Sequence, residues 1–593
     1  MQKKRTHTEV SRRKFLADAG RLALTTCALS GGAFAKTAFL PKTALVRNGK
    51  SDFAIAVLPG APLAATRGAQ ELQRWLAEIS GATLPILTAA EVAQAGKRPL
   101  ITIGSGPLLA EEEYTLKISP GRIAIAGGGK RGALYGCYAF LEDVLGCRWF
   151  TRTIQRIPKR PTILLASQDI REKPAFEYRE PYYDEAFDGD WAVRNRTNGS
   201  NQHLDASLGG RVQYGRFVHT FNELVPPDQY FDAHPEYFSL IDGQRRKGYY
   251  QLCLTNPDVA RLSIEKVRQW IHENPDAILF SVSQNDNAGR CQCDVCQAVE
   301  QEEGAPSGVV LRFVNTVAAA IGRDYPHVLI DTLAYQWTEN PPRYVRPLPN
   351  VRVRLAPLGA CFGHALNACA ANAHVCKNLT AWSAITSQLY LWHYSTNFNH
   401  YLQPFPDLGE ISADIPLVHQ HGVVGLFYEG DYAPGGGGEM SELKSYLIAK
   451  LMWNPDRPSA PIIAEFLNGV YGPAAPFVHQ WLDALQLSLK QSGAHVHAYD
   501  PPTSPYLPDA LLAQGVQLFD AAEKAAQADP IALDQVQRAR LALEYVQLER
   551  APKGSPERTA LGQRVSKKIK RYGITQVHEG EPVNTFFARL MLG

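Results

Sequence analysis

Two carboxylates of this 593-residue sequence, Asp286 and Glu429, each follow an apolar run typical of a buried strand. Asp286 comes after "AILFSVSQN", and Glu429 closes "VVGLFYE". Cleavage of a glycosidic bond requires one protonated carboxylic acid and one carboxylate that flank the scissile bond. We therefore predict Asp286 as the favoured acid/base and Glu429 as the second carboxylate. The alternatives are a turn residue at position 286 and a structural ion-pair partner at position 429.

Six polar or aromatic side chains stand near the same predicted strand ends. Aromatic rings stack on sugar faces, while histidine and asparagine hydrogen-bond to hydroxyl groups. Each alone is more often part of a core, but together they are typical of a pyranose site. The predicted substrate-binding residues are His219, Asn285, Tyr335, Trp337, Trp392 and Tyr394. Three arginines, Arg179, Arg194 and Arg196, could bind a uronic acid carboxylate, although such arginines are usually paired within the protein.

Cysteines follow Asp286 at Cys-x-Cys-x-x-Cys spacing. They are Cys291, Cys293 and Cys296. Three thiolates would fill three of the four positions around a zinc ion, and Cys253 is the candidate for the fourth. A disulfide within the loop and free thiols are the alternatives, and the sequence leaves all three open. A metal or a disulfide would hold this loop in place while Asp286 faces the chemistry. A second cluster of the same open kind comprises Cys361, Cys369 and Cys376.

These residues must be positioned by residues 173–455, in which apolar strands alternate with loops and helices. The predicted strands are "FEYREPYY", "FVHTF", "YYQLCLT", "AILFSVS", "VLIDTLAY", "VRVRLAP", "QLYLWHY" and "VVGLFYEG". Eight strands over this length match a (β/α)₈ TIM-like barrel, whose working residues lie at the C-terminal ends of the strands. We therefore expect Asp286 and Glu429 at one mouth of the barrel.

The regions on either side of the predicted barrel differ in pattern. Residues 36–172 alternate strands and amphipathic helices, which predicts a small N-terminal α/β domain. One of its helices carries apolar residues at 72, 75, 76 and 79 and should stop at Gly81. Residues 456–593 are mostly helical, and we predict that they pack against the barrel without taking part in catalysis.

The N-terminus predicts export. "SRRKFL" contains the pair Arg12-Arg13, an apolar stretch follows, and "AFA" at residues 33–35 suits signal cleavage. We predict a bacterial twin-arginine signal over residues 1–35 and a periplasmic or extracellular protein. No membrane insertion is expected after cleavage, because no later run of about eighteen apolar residues occurs. A net charge of +3 gives no electrostatic basis for nucleic-acid binding.

Several long motifs resemble known families. "ELQRWLAEISGATLPI" and "KRGALYGCYAFLEDVLGCRWF" resemble the α/β domain that precedes the barrel in family 67 α-glucuronidases and family 20 hexosaminidases. "HTFNELVPPDQYFDAHPEYFSLIDGQR", "QLCLTNPDV", "SVSQNDNAGRCQCDVC" and "ACFGHAL" resemble the bacterial domain-of-unknown-function family 4838, a glycoside-hydrolase-like barrel. Family 20 enzymes carry an Asp-Glu pair where this sequence has Asn285-Asp286. The carboxylate that orients the acetamido group in those enzymes is therefore missing here.

Residues and resemblance together predict an exported glycoside hydrolase that cleaves O-glycosyl bonds of a poly- or oligosaccharide. No cofactor is expected to be required, and a structural zinc at the Cys291 cluster is an option. The alternatives are a non-catalytic carbohydrate-binding barrel and a zinc-dependent hydrolase that uses that cluster. The sugar, its anomer, the stereochemical course and the oligomeric state are left open.

Overall fold

A computed structural model describes residues 42–592 of the chain, so the predicted export signal at residues 1–35 lies outside the described residues. The structure has an N-terminal α/β region, a curled parallel sheet and a C-terminal helical region.

The N-terminal region is built on a six-stranded mixed sheet. The strands of this region, including those outside the main sheet, are β1 (Lys42–Val46), β2 (Ala54–Val57), β3 (Ile86–Leu87), β4 (Leu100–Ser105), β5 (Tyr114–Ser119), β6 (Arg122–Gly127), β7 (Arg148–Trp149), β8 (Gln155–Arg156), β9 (Ile163–Ala166) and β10 (Gln168–Glu172). The helices of the region are α1 (Leu63–Ser80), α2 (Ala89–Gln94) and α3 (Gly132–Ala139). The order in the main sheet is β10-β5-β6-β4-β2-β3, while β1 pairs with β9 and β7 with β8. Helix α1 buries Leu72, Trp75, Leu76 and Ile79, as its spacing predicts. Gly81 ends the helix at a φ of 81°, which only glycine adopts without strain.

The central sheet consists of seven parallel strands. They are β11 (Tyr178–Tyr182), β12 (Tyr214–Arg216), β15 (Leu279–Ser281), β16 (Leu329–Tyr335), β17 (Val351–Ala356), β18 (Leu389–Tyr394) and β19 (Val423–Glu429), and the short hairpin of β13 (Leu240–Ile241) and β14 (Gln244–Arg245) lies between β12 and β15 in the chain. The order is β11-β19-β18-β17-β16-β15-β12. Since all seven strands are parallel, their carboxyl ends lie together at the same end of the sheet.

The sheet curls until its two edge strands approach each other. The rings of Tyr178 and Tyr214, on β11 and β12, are 5.7 Å apart between centroids. Asn198 lies between these strands: its backbone N–H donates to the Arg179 carbonyl at 3.2 Å, and its own carbonyl accepts from Val212 N–H at 2.8 Å. Asn198 thus connects the two edges, which a closed barrel would join by direct strand pairing.

The eight-stranded prediction needs two corrections. The segment "YYQLCLT" contributes no strand to the described sheet, because the backbone of Gln251 bonds to Ser239 and Gly289 instead of a sheet neighbour. The predicted strand "FVHTF" is in fact the loop that follows β12. The described architecture is thus a curled seven-stranded parallel sheet, and a complete eight-stranded barrel is not found in residues 42–592.

Helices cover the outside of this sheet and form the C-terminal region. Those between and after the strands are α4 (Gly189–Arg194), α5 (Phe221–Leu224), α6 (Pro227–Tyr230), α7 (Pro257–Glu273), α8 (Asp294–Glu303), α9 (Ser307–Asp324), α10 (Ala373–Ser383), α11 (Leu408–Gln420) and α12 (Ser441–Trp453). The C-terminal helices are α13 (Ser459–Tyr471), α14 (Ala475–Ser492), α15 (Asp509–Ala525), α16 (Pro530–Arg550), α17 (Pro556–Tyr572) and α18 (Val583–Leu592). A hairpin of β20 (Gln576–His578) and β21 (Glu581–Pro582) interrupts them and matters for the site.

Within residues 42–592, no single helix has the length and apolar composition needed to cross a membrane. Helices α8 and α9 meet these criteria only as a pair, and they are bent by 102° relative to each other.

Candidate active site

A cavity of about 260 Å³ opens at the carboxyl ends of the central strands. Six of the eight residues predicted for catalysis or binding line it: His219, Asp286, Tyr335, Trp392, Tyr394 and Glu429. Two larger surface grooves, of about 710 and 660 Å³, lie on helices α15–α17 and between α7 and α9, away from the strand ends. The cavity at the strand ends is therefore the candidate active site.

Glu429 is the last residue of β19, and its side chain is buried in the wall of this cavity. The indole N–H of Trp392 donates a hydrogen bond to Glu429 Oε2 at 2.8 Å. Burial raises the pKa of Glu429 to about 8, and the nearby charge of Glu579 adds to the increase, whereas the Trp392 hydrogen bond opposes it. Glu429 is therefore mostly protonated at neutral pH and holds a proton that it can transfer.

Asp286 lies in the loop after β15, and its side chain is exposed. The Tyr335 hydroxyl donates to Asp286 Oδ1 at 3.2 Å, and the Gln336 amide donates to the same oxygen at 3.4 Å. The backbone N–H of Asp286 donates to the Tyr249 hydroxyl at 3.1 Å, which fixes the loop. Donors on the carboxylate stabilise its negative charge. The surroundings of Asp286 thus suit a carboxylate, whereas those of Glu429 suit a carboxylic acid.

His219 presents one defined ring nitrogen to the cavity. Its Nδ1 lies 2.8 Å from the Gln284 carbonyl, and since a carbonyl only accepts, Nδ1 carries the proton. Burial lowers the pKa of His219, so the ring is neutral and Nε2 is left as an acceptor. His219 has a φ of 56° and Gln336 a φ of 51°. Two residues at the cavity thus hold the strained left-handed backbone that is common at functional sites.

Five aromatic side chains contribute to the remaining wall of the cavity. Tyr335, Trp392 and Tyr394 come from the central strands, and Phe398 and Tyr499 come from loops. Within residues 42–592, the Tyr394 hydroxyl has no hydrogen-bond partner, although the side chain is buried. This wall therefore offers flat apolar faces and a free hydroxyl, which suit a sugar ring.

Sequence reasoning missed Glu579 and Tyr499, both from the C-terminal region. Glu579 lies in the turn of the β20–β21 hairpin, where its backbone N–H donates to the Phe398 carbonyl at 2.8 Å. The Tyr432 hydroxyl donates to Glu579 Oε1 at 3.0 Å, and burial raises the pKa of this carboxyl. The turn "HEGEP" marks a hairpin, but nothing in it indicates a distant cavity. The C-terminal region therefore contributes side chains to the cavity wall, which its helical sequence pattern did not indicate.

Asn285 and Trp337 do not line the cavity. The Asn285 amide is buried and donates to Asn222 Oδ1 at 2.8 Å and to the Tyr250 carbonyl at 2.6 Å. The Trp337 indole N–H donates to the Asn287 carbonyl at 3.0 Å. Both side chains therefore hold the loop that carries Asp286, which differs from the binding role we predicted.

A buried ion pair lies beneath the cavity. Arg354 on β17 is 1% exposed and bonds to Asp331 on β16 at 2.7 Å. Its guanidinium also lies 4.3 Å from the ring centre of Phe217 and 5.0 Å from that of Trp392. The pair thereby connects two strands and supports the ring that holds Glu429.

The arginines considered for uronic acid binding are committed elsewhere. Arg179 pairs with Glu112 at 2.7 Å, Arg194 with Asp190 at 3.0 Å and Arg196 with Glu142 at 3.0 Å. None of the three lines the described cavity. The pairs of Arg179, on β11, and of Arg196, in the loop after α4, instead join these segments to the N-terminal α/β region.

The Cys291 cluster is complete with Cys253 as its fourth member. The sulfur of Cys253 lies 3.7 Å from that of Cys293 and 4.0 Å from that of Cys296, and all four sulfurs lie within 4.8 Å of one another. In a tetrahedral site with Zn–S bonds of about 2.3 Å, the sulfurs are about 3.8 Å apart. The nine cysteines of residues 42–592 form no disulfide. The arrangement therefore fits four-thiolate zinc coordination, with the cluster outside the cavity wall.

The fold resembles that of glycoside hydrolases. A family 115 4-O-methyl-α-glucuronidase with specificity for decorated arabinogalactans matches with a TM-score of 0.57 at 13% identity, over 90% of this chain and 77% of that chain. The family 20 chitobiase of Flavobacterium johnsoniae gives a TM-score of 0.48 at 10% identity, over 90% and 97% of the two chains. No curated protein matches the sequence. Residues 149–483, more than half of the chain, match the family described as domain of unknown function DUF4838, and the chain belongs to this family.

Proposed function

We propose that this protein is a glycoside hydrolase in which Glu429 is the general acid and Asp286 the second carboxylate. The observation that carries the proposal is the contrast between two carboxyl groups in one cavity. Glu429 is buried with a pKa raised to about 8, whereas Asp286 is exposed and accepts two hydrogen bonds. Two carboxyl groups in unlike environments are what acid-assisted glycoside cleavage requires. These roles are the reverse of those predicted from the sequence.

Each step can be assigned to a side chain of the cavity. Glu429 gives its proton to the glycosidic oxygen as the bond to the anomeric carbon breaks, so the leaving group departs as an alcohol. Asp286 attacks the anomeric carbon or takes a proton from the attacking water. His219 Nε2 accepts a hydrogen bond from a sugar hydroxyl, and the Tyr394 hydroxyl makes another. Burial keeps the proton on Glu429, and Glu579 adds to this effect because its negative charge disfavours a second negative charge nearby.

The charge of the cavity favours a neutral or positively charged sugar. Three carboxyl groups line it, and none of its described lining residues is lysine or arginine. A uronic acid would bring a fourth carboxyl group, in its negatively charged form, with no cation to receive it, since Arg179, Arg194 and Arg196 are paired elsewhere. We therefore expect neutral glycosides to be hydrolysed at least about tenfold more efficiently than the matching uronides, a difference of about 1.4 kcal/mol. A preference for uronides would contradict this choice of substrate.

The size of the cavity favours attack at the end of a sugar chain. A volume of about 260 Å³ lies just below the usual range of roughly 300–1,000 Å³ for ligand pockets. We therefore propose that one terminal sugar enters and that the rest of the poly- or oligosaccharide stays outside. Release of monosaccharide from the first minutes of a digest, followed by chromatography, supports this end-acting mode, and a mixture of longer products refutes it.

The test of the proposed function is turnover of an aryl glycoside panel. Wild-type protein should hydrolyse at least one neutral aryl monosaccharide. On a glycoside of the same sugar with a poor leaving group, both Glu429→Gln and Asp286→Asn should lower kcat by at least about a hundredfold. Both changes are nearly isosteric, so affinity for the released sugar should change less than tenfold. Sugar binding with no turnover by wild-type protein would replace this proposal with a carbohydrate-binding role.

We also propose that the Cys253, Cys291, Cys293 and Cys296 cluster holds a structural zinc. Four thiolates occupy all tetrahedral positions, so the metal would lack the open position that a zinc hydrolase needs. The site would instead fix the loop that carries Asp286. Replacement of Cys291 and Cys293 by serine should lower the Tm and the zinc content together. Loss of turnover without any change in Tm would favour the zinc-hydrolase alternative.

Export through residues 1–35 is part of the proposal. A reporter protein fused to these residues should reach the periplasm, and replacement of the Arg12-Arg13 pair by lysines should stop its export. Export of the reporter that does not depend on this pair would contradict a twin-arginine route.

A further inference from the structure

Two cysteines and two histidines converge at a second position, beside the cavity. They are Cys361, His364, Cys369 and His495. The sulfur of Cys361 lies 3.2 Å from His364 Nδ1, and that of Cys369 lies 3.5 Å from His495 Nδ1. All four ligand atoms lie within 4.8 Å of one another. The cysteine cluster predicted here had Cys376 as its third member, but Cys376 lies outside this group and the two histidines take part instead.

The distances fit a tetrahedral zinc site. Zinc binds sulfur at about 2.3 Å and nitrogen at about 2.0–2.1 Å, which places neighbouring ligand atoms about 3.3–3.8 Å apart. The two measured separations lie close to this range. Two thiolates and two imidazoles are also a common structural zinc set. The donor types and their spacing therefore both fit zinc.

The surrounding backbone is already arranged around these ligands. The side chain of Asn372 accepts from Cys361 N–H at 2.7 Å and donates to the Cys361 carbonyl at 2.9 Å. The Val496 N–H points at the Cys361 sulfur at 3.5 Å. An N–H donor stabilises a thiolate and orients it, as outer-shell groups do at metal sites. These hydrogen bonds thus hold Cys361 in a position from which its sulfur can bind a metal ion.

Three of the four ligands come from the loop after β17, and His495 comes from the loop between α14 and α15. The two loops also share backbone hydrogen bonds, since Phe362 N–H donates to the Val496 carbonyl at 2.8 Å. The second loop continues to Tyr499, which lines the cavity, and the first passes Leu358, which lines it as well. A metal bound here would join the two segments that form this side of the cavity.

We propose that Cys361, His364, Cys369 and His495 bind a zinc ion that fastens the 494–500 loop, and with it Tyr499, to the strand-end loop of the cavity. The two thiols bind as thiolates and release their protons to solvent, and the two neutral imidazoles bind through nitrogen. All four positions are filled by protein, so the ion is structural. The proposal is independent of the roles of Glu429 and Asp286, because it concerns metal content and loop order.

The experiment compares zinc content in matched histidine variants of the full exported chain. Each protein is purified without reductant, incubated with Zn²⁺ and dialysed, and its zinc is counted by mass spectrometry. His364→Gln with His495→Gln should lose one zinc per chain relative to wild type. His374→Gln is the control, because His374 is exposed on the nearby helix α10 and lies outside the cluster. It should lose none.

A second readout tests the fastening of the loop. Hydrogen exchange of residues 494–500 should become at least tenfold faster in the single variant His495→Gln, which changes an exposed side chain. It should stay unchanged in His374→Gln. Equal zinc content in the double variant and wild type would overturn the site. So would a Cys361–Cys369 disulfide in peptide mass spectra. Loss of zinc with unchanged exchange would overturn the proposed role in the loop.

Discussion

Replacement of Glu429 by glutamine should make the protein more stable, by an amount that grows with pH. Glutamine keeps the shape of the side chain, and its carbonyl can still accept the hydrogen bond that Trp392 donates to Glu429 at 2.8 Å. The change removes only the ionisation of a carboxyl group whose pKa burial raises from 4.5 to about 8. The difference in the free energy of unfolding between Glu429→Gln and wild type therefore measures the effect of this ionisation.

The magnitude follows from the difference in pKa between the folded and unfolded chain. Below pH 4.5 Glu429 is protonated in both states, so its ionisation has no effect on stability. Between pH 4.5 and about 8 the unfolded chain ionises but the folded chain does not, so the wild-type protein loses stability as the pH rises. The loss is about 1.4 kcal/mol per pH unit and reaches about 5 kcal/mol above pH 8. Glu429→Gln should lack this loss.

Urea denaturation of both proteins at pH 5, 6, 7, 8 and 9 measures the effect, because most other titrating groups cancel in the difference. The free energy of unfolding of Glu429→Gln minus that of wild type should rise through this range and level off above pH 8. Glu265→Gln, on the exposed face of α7, controls for loss of a surface carboxylate. A difference that stays constant with pH would show that Glu429 does not hold a proton at neutral pH, and it would refute our assignment of the acid.

Three further changes test the surroundings of the two carboxyl groups. The alkaline limb of the pH profile of kcat/KM should lie near pH 8. Glu579→Gln should move this limb to lower pH, because removal of a negative neighbour lowers the pKa of Glu429. A move to higher pH would contradict the proposed influence of Glu579 on Glu429. Tyr335→Phe should lower kcat/KM roughly 10- to 100-fold through the lost hydrogen bond to Asp286, with little change in Tm. A kcat/KM equal to that of wild type would show that this hydrogen bond does not contribute to catalysis. Arg354→Met should lower the free energy of unfolding by about 3–5 kcal/mol, since it leaves a buried carboxylate unpaired; a denaturation midpoint equal to wild type would disprove the importance of that pair.

Part of the cavity could be predicted, because several of its residues lie near the ends of strands. Strands β15, β16, β18 and β19 are rich in apolar residues, and parallel strands bring their carboxyl ends to one side. The pattern of strand ends predicted that Asp286, Tyr335, Trp392, Tyr394 and Glu429 lie together, without any knowledge of side-chain packing. The same pattern was wrong for Asn285, because the loop after β15 turns this side chain away from the cavity.

Features that depend on distant packing could not be predicted in this way. Glu579 reaches the cavity from a hairpin near the C-terminus, and no periodicity links that hairpin to β19. His495 lies 126 residues from Cys369, so the spacing of cysteines alone suggested the wrong cluster. Our proposal reverses the predicted roles of Asp286 and Glu429 for a similar reason. Burial decides which one keeps its proton, and the sequence shows strand ends but not how deeply each side chain is buried.

The dependence of turnover on the leaving group distinguishes the general acid from the second carboxylate. An activated phenol departs without a proton, whereas an alkyl alcohol or a sugar needs one. Glu429→Gln should therefore lose far more activity on a glycoside with a poor leaving group than on its dinitrophenyl counterpart, and Asp286→Asn should lose activity on both to a similar extent. Selective loss in Asp286→Asn, with equal losses in Glu429→Gln, would contradict the assignment of Glu429 as the acid.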